Sequence, residues 1–505
     1  MIAIIDFGSQ YTHLISRRLR QLGTRAEIFP PGMRLSQIAF IKGIILSGGP
    51  ASVYDRKSLK TPVSNLKNDK PILGICYGHQ YLAKFLGGEV EVGTTHEYGR
   101  ETIEIANCSP LFASLNKHQK VWLSHGDQVT KLPAGFKKIA SSKNCEFAAY
   151  ENGQIFGLQF HPEVVHTENG IKILENFIGI CSEERNWQLE NQIAKIVDEV
   201  KTIVGKDKVL IAVSGGVDSL VAATLIHNAI GRQLHPVFVD SGLLRKNEAG
   251  EVRELFKRLK FYNFHFVDAS KLFLGRLKGV VDPEKKRRLI GKTFIEVFTK
   301  EGERLGKKEK IRFLAQGTIY PDRIESAAAS QQAEKIKSHH NLIIPKGTKF
   351  KVIEPLAEFY KDEVREIGQA LGLPLDRLWR HPFPGPGLAV RILGEVTKKQ
   401  LAVLREADAI FIDELQKSRL YDQIWQAFAV LLPVKSVGVM GDARTYEYLV
   451  SLRAVTSVDG MTADWFKMPH EVLEKISSRI VNEVAGVNRV VYDITQKPPA
   501  TIEYE

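Results

Sequence analysis

Two short stretches of this chain pair reactive residue types with backbone breaks that expose them. The first is Gly74-Ile75-Cys76-Tyr77-Gly78-His79-Gln80, where an apolar run ends, two glycines flank one cysteine and helical spacing begins. This is the order of a nucleophile elbow carrying a thiol. Small neighbours let the strand-to-helix turn tighten, and a helix start favours a negatively charged sulfur. A lone cysteine is more often a small buried hydrophobe; the setting between strand and helix reverses that. A thiol nucleophile needs a base, and Phe160-His161-Pro162-Glu163 offers one. Pro162 biases His161 towards extended backbone, so His161 and Glu163 project to one side and complete a Cys–His–Glu triad by role. Ser47-Gly48-Gly49-Pro50 ends another strand-like run, and its N–H groups suit an oxyanion, although a plain turn fits the same four residues.

The second stretch is Ser214-Gly215-Gly216-Val217-Asp218-Ser219, between the apolar run Val209–Val213 and a helical one. Its glycines allow close backbone approach, and the helix start offers N–H groups to phosphate oxygens. Ser214 and Ser219 add hydroxyls, and Asp218 suits a magnesium ion. Other phosphate signatures fail. Gly291-Lys292-Thr293 has Lys286 where a P-loop needs glycine, and Gly385-Pro386-Gly387 has Val390 where a dinucleotide fingerprint needs one. Lys285-Lys286-Arg287-Arg288 reads as a solvated helix face rather than a phosphate site. The adjacent His339 and His340 are poorly spaced for one metal ion and suit a phosphate-facing loop.

These residues need elements to hold them. Ile2–Ile5, Gly43–Leu46, Ile72–Ile75 and Ile155–Phe160 read as strands, with Tyr11–Leu22 and His79–Leu86 as helices, so an α/β domain is expected over residues 1–185. A polar hinge near Glu183-Glu184-Arg185 leads to a second α/β domain, residues 186–380. The cluster His381-Pro382-Phe383-Pro384-Gly385-Pro386-Gly387 cannot continue a helix or central strand. Beyond it, residues 381–505 read as a smaller α+β domain. The expected fold class is therefore two doubly wound, mainly parallel-sheet domains followed by that α+β domain.

The 505 residues exceed one ordinary core, and 44% hydrophobic with 25% charged residues excludes a disordered chain. The four cysteines, Cys76, Cys108, Cys145 and Cys181, are no disulfide scaffold and lack zinc spacing. No basic leader or membrane-length apolar run is present, so the expected setting is cytoplasmic, without a membrane. A formal charge of +12 suits anionic partners. The basic residues are not interleaved with aromatics as a nucleic-acid platform requires, so no nucleic-acid partner is expected.

The Cys–His–Glu set resembles the class I glutamine amidotransferases, and the Ser214–Ser219 loop resembles the N-type ATP pyrophosphatases. In this order, with Arg380–Gly387 and the ending Lys497-Pro498-Pro499-Ala500-Thr501-Ile502-Glu503-Tyr504-Glu505, the whole chain resembles the glutamine-hydrolysing GMP synthase family. The resemblance implies that Cys76 attacks the glutamine amide, with His161 as base and then acid, and Glu163 orienting it. Gly49 and Tyr77 N–H groups form the oxyanion hole; Gln80, Ser124, His125, Gly126 and Asp127 help hold glutamine. Ser214, Gly215, Gly216, Val217, Asp218 and Ser219, with Val239 and the lid residue Lys337, bind ATP, and Asp218 takes Mg2+. Arg287, Lys497 and Glu503 contact xanthosine monophosphate (XMP), and the last domain forms a homodimer. Adenylation of XMP O2 and amination by ammonia from the first site follow. The chain departs from the family's usual pattern at Ser241 and at Leu342-Ile343-Ile344-Pro345. Rival readings are an amidotransferase-coupled pyrophosphatase with another acceptor, or an RNA-binding protein on a degenerate enzyme. The domain order and C-terminal ending speak against the first, and the intact Cys76, His161, Glu163, Ser214 and Asp218 against the second.

Overall fold

The computed structural model describes residues 1–55, 58–66, 69–309, 311–323, 350–457, 460 and 462–505. Its contacts divide it into two compact units, Met1–Asn191 and Gln192–Glu505.

The first unit is built on β1 (Ile2–Ile5), α1 (Thr12–Gln21), β2 (Ala26–Phe29), β3 (Gly43–Leu46), β4 (Ile72–Ile75) and α2 (Tyr77–Phe85). It continues through β5 (Glu89–Ile105), β6 (His118–Lys131), β7 (Lys137–Ser141), β8 (Ala149–Asn152), β9 (Ile155–Leu158) and α3 (Gly170–Ile180). They form one nine-stranded sheet, ordered β2-β1-β3-β4-β9-β8-β7-β5-β6. Strands β2 to β9 in that order are parallel, and every residue of β1, β3 and β4 is buried. Burial on both faces is why these runs are continuously apolar. From β9 through β8, β7, β5 and β6 the pairing is antiparallel. This half escapes the sequence reading because one face is wet. On β6, Gln119, Val121, Leu123 and His125 point inward while the residues between them are more exposed.

The polar stretch expected as a hinge is tied to this unit. Glu183 pairs with the N-terminal ammonium at 2.6 Å, Arg185 with Glu175 at 2.9 Å, and Trp187 N–H donates to Gly23 O.

The second unit begins within α4 (Leu189–Val204). It contains β10 (Lys208–Ala212), α5 (Val217–Ile230), β11 (Leu234–Asp240), α6 (Glu248–Arg258), β12 (His265–Asp268), α7 (Ser270–Leu277), α8 (Pro283–Glu309), β13 (Ile311–Ala315) and β14 (Lys351–Ile353). These strands make a parallel sheet ordered β12-β11-β10-β13-β14. The chain leaves β10 for β11 on one side and later returns as β13 on the other. Ligands of open α/β sheets bind where the order reverses in this way.

Beyond it, β15 (Gln426–Met440) and β16 (Ala443–Thr456) form an antiparallel hairpin, flanked by β17 (Asp464–Trp465) and, parallel to β16, β18 (Val487–Tyr492). Gly441 and Asp442 both have positive φ, as a tight two-residue hairpin turn requires. Helices Lys398–Lys417 and His470–Glu483 cover this sheet, and one apolar cluster runs from Leu210 of β10 to Val487 of β18. The Pro/Gly cluster docks inside this unit. A Cβ on Gly387 would lie 2.4 Å from Leu243 O, and Leu388 N–H donates to the same carbonyl. Among the described residues, no helix is long and apolar enough to cross a membrane.

Candidate active site

The turn from β4 into α2 is dictated by close approach. A Cβ on Gly74 would lie 2.5 Å from Gly78 O, and one on Gly78 would lie 2.4 Å from Leu46 O. Only glycines let the turn fold back on itself and onto β3. Cys76 sits between them at φ 51°, ψ −105°, a conformation that costs on the order of 1–3 kcal/mol for a residue with a side chain. Cys76 N–H donates to Leu158 O of β9 and Gly78 N–H to Ser47 O, which hold the strained residue in place. Its thiol faces Ser124 O at 3.6 Å.

Strand β9 ends in the segment that carries His161. His161 N–H donates to Trp122 O of β6, and Thr167 Oγ1 caps His161 O, so the ring is anchored from two sides. His161 Nδ1 lies 2.7 Å from Glu163 Oε1, both side chains almost wholly buried. Burial lowers the pKa of His161. The Glu163 carboxylate, then Cys76 by charge and hydrogen bond, outweigh it and hold the ring well above its usual value. The ring also meets the edge of Tyr11 at 5.0 Å.

Gly48 and Gly49 line the same place. A Cβ on Gly48 would crowd Ser9 Oγ and His161 Cε1, and one on Gly49 would lie 2.7 Å from Phe7 O. The Ser47 hydroxyl accepts from Phe7 N–H and donates to Gly48 O, fixing the turn. Among the described residues, no acceptor is matched to the N–H of Gly49 or Tyr77. Gln80 Nε2 donates to Asp127 O at 2.6 Å and to Gln159 Oε1 at 3.1 Å, while the Asp127 carboxylate accepts from Ser52 Oγ. His125 Nδ1 donates to Asp127 O, and Gly126 lies between them on β6. Cys76, His161, Glu163, Ser124 and the glycine turn are thus one cluster. A thiol, an imidazole with a paired carboxylate and a glycine-lined recess can perform acyl transfer.

In the second unit, Ser214–Ser219 joins β10 to α5 at the order reversal. Gly215 has φ +77°, and the loop is closed by Ser219 Oγ, which accepts from Ser214 N–H, lies 3.3 Å from Ser214 Oγ and donates to Gly216 O. Asp218 Oδ2 pairs with Lys361 Nζ at 2.5 Å, while its Oδ1 is buried without a partner among the described residues. Val239 lies in the core near the end of β11. There Asp240 Oδ1 accepts from Gly242 N–H and Ser241 Oγ from Leu243 N–H.

Four matches fix the family. The class-I glutamine amidotransferase profile covers residues 3–180, and the GMP synthase C-terminal domain profile covers residues 413–504. Over its whole length the chain is 54% identical to the glutamine-hydrolysing GMP synthase of Thermosipho melanesiensis, covering 99% of that protein. It is 53% identical to that of Helicobacter pylori, again over all of both chains. The chain belongs to the glutamine-hydrolysing GMP synthase family.

As a GMP synthase family member it has further expected positions in the second unit. Arg287 donates to Glu505 O, and Glu503 is gripped by Arg391, at 2.8 and 3.1 Å, and by Gln426 Nε2 at 2.8 Å. Lys497 is held elsewhere, by Gly460 O at 2.8 Å. Lys337, Leu342–Ile344 and the two histidines at 339 and 340 lie outside the described residues. One expectation is corrected. Lys286 is not on a solvated face but wholly buried, donating to Ala389 O and Ile392 O and paired with the Glu505 carboxylate. The basic run wraps round α8, so its members face different surroundings. Lys361, Arg391 and Gln426 went unremarked in the sequence because their partners are tens of residues or more away in the chain. The Tyr360–Glu363 capping pair marks only that a helix starts at Lys361.

Proposed function

We propose that this chain makes GMP from XMP, with glutamine as nitrogen source and ATP as the activating co-substrate, in the cytoplasm. The observation that carries the first half is Cys76 held at positive φ beside His161, whose Nδ1 is bonded to Glu163. Cys76 sulfur attacks the glutamine carboxamide carbon. The resulting oxyanion is received by the N–H groups of Gly49 and Tyr77, and Gln80 with Ser124–Asp127 shapes the pocket around the substrate. His161 passes its proton to the departing ammonia and then takes one from water, which releases glutamate from the thioester.

In the second unit, Ser214–Ser219 receives the β- and γ-phosphates of ATP at the start of α5. XMP O2 displaces pyrophosphate from the α-phosphate, and ammonia then displaces AMP from the activated carbon, giving GMP. A poor leaving oxygen becomes a good one at the cost of ATP. Arg287, Lys497 and Glu503 are assigned to XMP, and Val239 and Lys337 to ATP. Asp218 fits a magnesium ion, since its buried Oδ1 has no partner among the described residues. When bound, that ion supplies positive charge against the phosphates. Residues 1–185, 186–380 and 381–505 are read as glutaminase, ATP pyrophosphatase and dimerisation parts. Val437, Val439 and Tyr446 on the β15–β16 hairpin are exposed and support a homodimer contact there.

The test is XMP amination with glutamine and, separately, with ammonium salt, in wild type and Cys76→Ala. The variant is expected to lose only the glutamine-driven reaction. Wild type that aminates XMP under neither condition overturns the proposal.

A further inference from the structure

A second convergence of reactive side chains lies in the first unit. Antiparallel strands β5 and β6 set Glu97 directly opposite His125, beside a register shift between Val92 and Glu97. Cys145, from the connection between β7 and β8, is wholly buried next to them. One carboxylate oxygen, one ring nitrogen and the sulfur of the three lie within 4.8 Å of one another.

The protons around His125 do not balance as ordinary packing would have them. Nδ1 lies 3.0 Å from Asp127 O, so it carries a proton and donates it. Nε2 then faces Glu97 Oε2 at 3.1 Å, two acceptors unless an extra proton is buried between them. Neither atom makes an aligned hydrogen bond among the described residues. Glu97 Oε1, by contrast, is held by Asn144 Nδ2 at 3.2 Å and Ser142 Oγ at 3.4 Å. A metal-binding histidine characteristically gives its other N–H to a carbonyl, and a metal-binding carboxylate is steadied by outer hydrogen bonds. Both supports are present around a nitrogen and an oxygen that face each other at 3.1 Å without an aligned hydrogen bond.

We propose that Glu97, His125 and Cys145 form a binding site for a thiophilic divalent cation of the zinc class, with water in the fourth position. One oxygen, one nitrogen and one sulfur donor are the set zinc accepts. Ligand atoms round a tetrahedral zinc lie about 3.3–3.8 Å apart, so the observed spread closes with shifts of about an ångström. The cation displaces the thiol proton of Cys145 and any proton shared by Glu97 and His125. A thiolate and a carboxylate then balance its two charges.

The consequence for turnover rests on reading the first unit as the glutaminase. His125 follows Ser124, whose carbonyl faces the Cys76 thiol, and its Nδ1 partner Asp127 O also holds Gln80. A cation drawing His125 towards Cys145 shifts both carbonyls. Occupancy therefore slows glutamine-driven amination and spares the ammonia-driven reaction.

Cys76 and His161 offer sulfur and nitrogen too, so the test removes them first. Full-length Cys76→Ala protein, freed of metal with a chelator, is titrated with Co2+ while thiolate-to-cobalt absorption is followed, then with Zn2+ against a chromophoric chelator. One equivalent of each is expected to bind, and the absorption band is expected to vanish when Cys145→Ser is added. Glu97→Gln, which keeps the shape of the site, is expected to weaken Zn2+ by about tenfold or more. Binding lost on Cys76→Ala alone, or kept unchanged in both other variants, overturns the proposal. In otherwise wild-type protein, Cys145→Ser is expected to abolish zinc inhibition of the glutamine-driven reaction. If the zinc-free wild type, assayed with Mg2+ and ATP restored, fails even to aminate XMP with ammonium, the functional reading falls while the binding result stands.

Discussion

Glu163 Oε1 stands 2.7 Å from His161 Nδ1, with almost none of either side chain exposed. The pair fixes the tautomer, since Nδ1 must donate to the carboxylate and Nε2 is left for Cys76. Burial by itself pulls the ring's pKa down, and Glu163 is the largest influence raising it. The charged ring therefore contributes stability that is fully present below pH 6.5 and is lost as pH rises through its higher folded pKa.

Glu163→Gln keeps the shape and removes the charge, leaving burial opposed by Cys76 alone. Glutamine hydrolysis is expected to fall on the order of 10²–10⁴-fold. The alkaline limb of its pH profile is expected to move to lower pH as the imidazolium is lost earlier. Ammonia-driven amination serves as the control. An unmoved alkaline limb means that Glu163 does not set the charge on His161.

Gly78→Ala tests whether the turn is built on close approach. The added methyl would lie 2.4 Å from Leu46 O, at the end of the strand leading to Ser47–Gly49. Overpacking of this kind costs about 1–3 kcal/mol, and relief of the clash displaces the glycine turn. A lowered melting temperature with selective loss of the glutamine-driven reaction is expected. Gly179→Ala, inside α3 with nothing within 4 Å, is the matched control and is expected to be neutral or stabilising.

The turn carrying Cys76, the His161–Glu163 pair and the Ser214–Ser219 loop were legible because backbone geometry restricts which residues can occupy them. Gly74 and Gly78 are required by contacts under 3 Å, and such requirements leave a local trace in the sequence. The buried strands β1, β3 and β4 were legible because continuous apolar runs have few other uses. Strands β5 and β6 were not, since a half-wet strand such as Gln119–His125 mixes polar and apolar residues. Lys361 opposite Asp218, Arg391 on Glu503 and Lys286 on Glu505 depend on pairings made only when distant segments meet. No spacing rule announces these. The same holds for Glu97, His125 and Cys145, each unremarkable in its own stretch of chain.

Lys361 Nζ lies 2.5 Å from Asp218 Oδ2 at the phosphate loop. On the proposal that this loop receives the phosphates of ATP, the phosphates would supply a stronger partner for the ammonium and leave Asp218 free for a cation. Lys361→Met is therefore expected to raise the KM for ATP and to slow ammonia-driven amination about tenfold or more, as loss of a charge-assisted contact implies. Basal glutamine hydrolysis is not expected to change. An unaltered KM for ATP means that Lys361 serves the loop's structure alone.

His381 links the Pro/Gly cluster to the C-terminal sheet in one protonation state. Its Nε2 donates to Tyr421 O at 2.9 Å, its Nδ1 accepts from Ala427 N–H at 3.2 Å, and the ring stacks on Tyr421. A second ring proton on Nδ1 would face that N–H. Burial, with Arg245 adding to it, pushes the pKa down to about 4 despite the Tyr421 carbonyl. The folded pKa lies below the ordinary 6.5, so the stability held by the neutral ring is fully present above pH 6.5 and is lost as pH falls towards 4. The gap corresponds to about 3 kcal/mol. NMR titration is expected to place this ring near pH 4, and the urea midpoint of the intact chain is expected to fall between pH 6.5 and 4. His381→Gln is expected to be less stable at pH 7 but to lose less on acidification, because the titrating group is gone. If the variant keeps the wild-type slope, the acid sensitivity belongs to other buried histidines, of which His79 is held lower still by burial.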